Sequence, residues 1–294
     1  MKQVLTRVRS VRRRAKSLFP DKTERFKALI TKVVMNYPTQ KNSIKITAIR
    51  ITNLFEQEDT SVHELINYDL LRIHRPEVSD TNESKRAFFE RMLIKGRVKI
   101  ARLIQEKSVI AIHFKVVTPE LSTIHFFIYR FDESGRLIEL WMNSQSELPA
   151  RSDGTDMFNG PGEIRDIEKT SFNKALIGNY YDTIFSNEKD KLSDFFQDGK
   201  LIEHNVLMEN DLSGMYLYNQ ERAGKVYDSY ETGICQGNYT LTATTSTVSD
   251  YKIATFHLHR WSNGKIVEHW DVTERIPEES QWENNWGKFN YNSK

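Results

Sequence analysis

The stretch FIYRFDESGRLIELWM at residues 127–142 aligns without gaps on FHLHRWSNGKIVEHWD at residues 256–271, an offset of 129 at which Phe, Gly, Glu and Trp coincide. Arg136/Lys265, Leu137/Ile266 and Ile138/Val267 are conservative replacements at the same offset. Upstream, Leu54, Phe55 and Glu58 fall on Ile184, Phe185 and Glu188 at an offset of 130, and His74 falls on His204. A repeat of this period constrains the fold more than any other feature, because the chain then builds one unit twice. With 294 residues there is room for two domains of ordinary size, each able to bury a core.

Within each copy the pattern passes from helical to strand-like. Ile44, Ala48, Ile51 and Phe55 share one face of a helix over 41–57, and Leu176, Tyr180 and Ile184 one face of a helix over 171–186. Shorter helical stretches are expected over 62–69, 83–92 and 192–196. Strands are expected over 109–117, 123–131 and 136–143 in the first copy, and over 239–247, 252–261 and 265–273 in the second. Helices followed by a run of antiparallel strands make an α+β class. Asn263-Gly264 is a two-residue hairpin signal, with Ser134-Gly135 in the equivalent place. Between the copies, ARSDGTDMFNGPGE is rich in Gly, Asp and other turn-forming residues and reads as a linker. The expected organisation is an extension at 1–38, a first domain at 39–150, a linker at 151–168 and a second domain at 169–294.

The formal net charge of +2 conceals an uneven distribution. Residues 1–40 hold eleven Lys or Arg against Asp21 and Glu24, leaving 31 basic and 38 acidic residues for the remainder. Val4, Val8, Val11, Ala15 and Leu18 recur at helical spacing among these charges, which describes a basic amphipathic helix. Such a segment suits an anionic surface reached through residues 1–20 (membrane or nucleic acid), an acidic face of its own chain, or an organellar presequence. No apolar run approaches the roughly 18 to 20 residues needed to span a bilayer as a helix, and the apolar core of a secretory signal is missing, so a cytoplasmic location is expected. Cys235 is the only cysteine, which excludes an intramolecular disulfide and a cysteine metal cluster. Phosphate-cradling Gly-rich loops, GxSxG and HExxH are absent.

The string GKIVEHWDV followed by IPE, with YYDTIF and IEHN earlier in the same copy, resembles the SnoaL-like (polyketide cyclase-like) branch of the NTF2-like superfamily. The first copy is similar through DLLRIHRPEV, AFFERM and GRLIELWMN, and its DMFNG resembles the tail that closes such domains. The resemblance covers residues 41–294 and implies two tandem cone domains, each a bent antiparallel sheet wrapped around N-terminal helices to leave an apolar pocket. It implies a small hydrophobic molecule as partner, no cofactor and no metal. Family domains pair sheet to sheet, so fusion of two copies implies a monomer whose copies form an intrachain pseudo-dimer.

On a strand, Val267, His269 and Asp271 share one face, and an imidazole beside a carboxylate can poise either group for proton transfer. In the resemblance Asp271 matches the acid/base position of cyclase-type lyases and isomerases, with His269 as its partner and His204 lining the pocket. Phe256, Leu258 and Val267 complete the expected substrate-binding set. The same residues also serve a non-catalytic ligand-binding or scaffold module. The first copy carries Leu140 and Met142 where the second has His269 and Asp271, so it is expected to be degenerate. His257 and His259, with His204, His269 and Asp271, also invite a site of two His and one carboxylate. A two-residue turn at Asn263-Gly264 would set Leu258 opposite His269 and put the two His pairs on opposite faces. A bulged turn would reverse this.

Overall fold

The computed structural model describes residues 41–56, 60–92, 96–186, 188–208, 210 and 226–289. The basic segment 1–38 lies outside the described residues. In chain order the regular elements are α1 (Lys41–Thr52), β1 (Arg72–Ile73), α2 (Asn82–Arg91), β2 (Arg97–Glu106), β3 (Val109–Val117), β4 (Ser122–Phe131) and β5 (Leu137–Ser146). There follow α3 (Thr170–Phe185), β6 (Ile202–Glu203), β7 (Val226–Gln236), β8 (Tyr239–Val248), β9 (Tyr251–Ser262) and β10 (Lys265–Arg275).

The strands form two sheets of identical order, β1-β5-β4-β3-β2 and β6-β10-β9-β8-β7. In each, the two-residue strand runs parallel to the last strand and every other neighbour is antiparallel. The class is α+β. The expected strands are found with ends displaced by at most three residues, whereas β2 and β7 have no counterpart in the sequence pattern. Both are edge strands broken by bulges, between Ile100 and Arg102 in β2 and at two places in β7, and a bulge destroys the period-two alternation that reveals a strand. The first helix stops at Thr52, short of the expected end at 57, and tightens into a single 3₁₀ turn over Asn53–Phe55. The stretches expected near 62–69 and 192–196 are 3₁₀ turns over Thr60–Leu65 and Lys189–Phe195.

The register corrects the gapless alignment of the repeat. Phe127 faces Met142, Tyr129 faces Leu140 and Arg130 faces Glu139, after which Phe131 faces Leu137. In the second sheet His257 faces Asp271, His259 faces His269 and Arg260 faces Glu268, after which Trp261 faces Ile266. Equivalent positions are therefore 130 apart on β4/β9 and 129 apart on β5/β10, the difference being one residue in the turn. Ile138 and Val267 are the extra residues of the same bulge in the two sheets.

Three apolar clusters follow from the faces. Ile51, Phe89, Ile112, Phe114, Phe127, Tyr129 and Leu140 fill the space between the first sheet and its helices. Ile177, Tyr180, Tyr181, Trp261 and Ile266 fill part of the corresponding space in the second. The outer faces of the two sheets meet in a shared core holding Phe126, Ile128, Trp141, Tyr239, Leu258, Phe256 and Trp270. Across it Asn143 Nδ2 donates to the carbonyls of Ala254 and Val272 at 2.8 and 3.0 Å.

The stretch expected to be a linker carries no helix or strand before its end at Ile167–Lys169, and it is strapped down. Met157 and Phe158 enter the shared core. Arg102 donates to the carbonyls of Phe158, Asn159 and Pro161, while Trp270 Nε1 donates to Asn159 and Tyr239 Oη to Pro161. The C-terminal segment reciprocates on the first sheet: Asn284 donates to the carbonyls of Arg75 and Val78, Arg72 stacks on Trp286, and Lys288 Nζ donates to Met142 O.

Candidate functional site

The bulge at Val267 decides the site. The hairpin turn has the expected two residues, with Asn263 and Gly264 both at positive φ (49° and 74°) and Ser262 facing Lys265. One extra residue two positions later reverses the parity of the rest of β10. His269 then stands opposite His259 and Asp271 opposite His257, so all four side chains lie on the inner face, towards α3. The placement of the two His pairs on opposite faces, expected from an unbulged hairpin, is thereby overturned.

The inner face carries a connected polar chain. Glu203, on β6, accepts from His269 Nδ1 at 2.8 Å. His269 Nε2 lies 3.1 Å from His257 Nδ1, and His257 Nε2 lies 2.9 Å from Thr244 Oγ1. Asn205 joins both carboxylates, its backbone N–H donating to Glu203 and its Nδ2 to Asp271 Oδ2 at 3.0 Å. The rings of His257, His259 and His269 are loosely stacked, and Tyr180 and Tyr181 of α3 close over them. Burial holds the His259 imidazole well below its ordinary pKa, and the neighbouring His269 lowers it further. All of these residues are at least 90% buried except Asn205.

Three of the expected substrate contacts lie elsewhere. Phe256 and Leu258 point into the core between the sheets, away from His269, because the bulge moved His269 and not them. His204 also faces that side: it stacks on Trp270 at 4.5 Å, and its Nε2 meets Glu268 at 2.9 Å. Glu268 also accepts from Arg260, and these hydrogen bonds outweigh the upward pull of burial to leave its carboxyl below the usual range. His74, Glu139, Trp141 and Arg130 repeat the arrangement in the first sheet, with His74 stacked on Trp141 at 4.6 Å and 3.0 Å from Glu139. His74 and His204 are thus each a structural partner of a Glu and a Trp on the last strand of their own sheet. Val267, as the bulged residue, has no partner on β9 and is half-buried.

Glu203, Asn205 and Thr244 were not singled out by the sequence pattern. A signal for the first existed: one residue before the His74/His204 match, Ile73 gives way to Glu203. A buried carboxylate thus stands where the first sheet has hydrocarbon. Separately, a cleft of about 610 Å³ opens on the outer side of β7 and β8, lined by Glu231, Thr245, Tyr251, Lys252, Trp282 and Phe289. None of the inner-face polar groups lines it. Among the described residues no helix is long and apolar enough to cross a membrane.

No family model matches the chain, and no curated protein does. Among solved structures it is similar to a candidate ketosteroid isomerase from Kribbella flavida DSM 17836, at 14% identity over 37% of this chain and 83% of that one, with a TM-score of 0.32. It is also similar to an Ntf2 like protein involved in plasmid conjugation, at 10% identity over 69% of this chain and 92% of that one, with a TM-score of 0.19. Scores this low leave fold and site to be judged on their own topology and geometry.

Proposed function

We propose that the chain is a tandem pair of SnoaL-like, NTF2-like cone domains, the first a filled scaffold and the second a pocket for a small hydrophobic carbonyl compound. The observation that carries this is a substitution pattern in three dimensions. The positions held by Glu203, Thr244, His257, His259, His269 and Asp271 in the second sheet are Ile73, Phe114, Phe127, Tyr129, Leu140 and Met142 in the first, all in its apolar core. Burying polar groups where hydrocarbon packs well is unfavourable unless every group is paired, and a network kept at that expense points to chemistry.

Asp271 and His269 are the acid/base pair of the proposal. Glu203 fixes the His269 tautomer by accepting a hydrogen bond from its Nδ1–H, which leaves Nε2 facing His257 and gives a route for a proton along the imidazoles. Asp271 would take a proton from carbon next to a carbonyl and return it elsewhere, the step common to cofactor-independent isomerases, cyclases and lyases. The alternative is a non-catalytic ligand-binding or scaffold module, favoured by the depth at which these groups are buried. The intrachain pairing of the copies through the shared core supports a monomer, which light scattering on an eluting peak would check.

The deciding experiment is a thermal-shift screen of metal-free wild type and Asp271→Asn against small aromatic and polyketide-like carbonyl compounds, followed by turnover assays on any hit. A hit turned over by wild type and not by Asp271→Asn supports the enzyme. Equal binding without turnover supports the binding module, and an unshifted wild type with every compound counts against both.

A further inference from the structure

We infer that His257, His269 and Asp271 form a binding site for a divalent transition-metal ion of the zinc class. The donor set is two imidazoles and a carboxylate, the composition that first-row divalent ions take with positions left open. One donor atom from each of the three residues lies within 4.8 Å of the others. His257 Nδ1 and His269 Nε2 are 3.1 Å apart, which is the separation of two adjacent ligands on an ion bound at about 2.0–2.1 Å. Asp271 supplies the third donor, a carboxylate oxygen within 4.8 Å of both ring nitrogens.

The surroundings fit a cation better than they fit three packed rings. Each inward nitrogen belongs to a ring whose outward nitrogen is already held, His269 by Glu203 and His257 by Thr244. Carboxylate or hydroxyl behind a ligating imidazole is the support that orients such ligands. On uptake, the proton between the rings moves from His257 Nδ1 to Nε2, where Thr244 accepts it, and the ion takes its place. Beside the cluster, the buried His259 Nδ1 has no hydrogen-bond partner among the described residues, so this region holds an unsatisfied polar atom that hydrocarbon packing cannot explain.

The site goes beyond the proposed function and competes with it, since the ion occupies the atoms that would carry a proton. Uptake is therefore measured directly and separately from turnover. Full-length chain stripped with chelator is titrated with Zn²⁺ against a chromophoric chelator and with Co²⁺ by visible absorption, and zinc-loaded wild type is examined by X-ray absorption. Expected are one ion per chain, Co²⁺ ligand-field bands, and a zinc shell containing two imidazoles. His257→Gln and Asp271→Asn should lose the tight site, Glu203→Gln should weaken it roughly 10–100-fold, and His125→Gln in the first sheet should leave it unchanged. No uptake by wild type, a shell without paired imidazoles, or a folded His257→Gln that binds as wild type does would each overturn the inference. The X-ray absorption result stands even if a variant fails to fold. Metal-free turnover with no metal uptake would sink this site alone, and metal uptake with no ligand shift would sink the proposed function alone.

Discussion

His269 and Leu140 occupy the same register position in the two sheets, each beside a two-residue parallel strand, yet His269 bonds to Glu203 while Leu140 packs beside Ile73 in hydrocarbon. The first sheet therefore supplies a ready-made apolar version of the same pairing.

That relationship sets up a double-mutant cycle. His269→Leu alone removes the imidazole that holds the buried Glu203, and breaking one side of a buried pair is expected to destabilise by about 3–5 kcal/mol. Glu203→Ile with His269→Leu restores the pairing seen in the first sheet and should recover that loss or exceed wild-type stability. Urea midpoints of the four proteins check this. A double variant no more stable than His269→Leu would contradict it.

Acid should destabilise the fold through buried histidines far from the proposed site. Burial pushes the His125 imidazole down to about 3, and burial followed by the Arg102 charge pushes His113 well below its usual range. Below about 6.5 the unfolded chain binds protons that the folded chain refuses. The stability contribution is thus complete above about 6.5 and is lost progressively as pH falls towards 3. Denaturation at a series of pH values should show His125→Gln losing less stability than wild type across that window, and parallel curves would refute the assignment.

Gly160 is a seam of the molecule. It sits at φ 110°, and a Cβ there would lie 2.7 Å from Glu268 Oε1 and Trp270 Cζ2 and 2.9 Å from Arg102 Nη2. Gly160→Ala should destabilise by more than Gly154→Ala, whose φ is 85° with nothing within 4 Å of its Cβ. Backbone strain of about 1–3 kcal/mol acts at both positions, so a loss at Gly160→Ala larger than strain can supply reports the contacts.

Cys235 should be inert in the folded protein. Burial, reinforced by Glu106, pushes its thiol up to about 12. Alkylation followed by mass spectrometry should proceed only as fast as the protein unfolds, and rapid labelling under native conditions would show that the thiol is reachable.

The repeat, the α+β class, six long strands and the two long helices were legible because each rests on local pattern: a period of two or 3.6, an Asn-Gly turn, and one motif written twice. That His269 and Asp271 share one strand face, and that Leu140 and Met142 stand at their positions in the first sheet, could be read from the sequence. The face each residue occupies was not. A bulge adds one residue to one strand, and with a side-chain period of two that single residue exchanges inside for outside along the rest of the strand. Nothing local in KIVEHWD announces it. The tertiary structure therefore decided that Phe256, Leu258 and His204 belong to the joint between the sheets and that His257 stands opposite Asp271. It also decided that Glu203 reaches His269, since a parallel pairing between residues 66 apart is fixed by how the chain closes on itself.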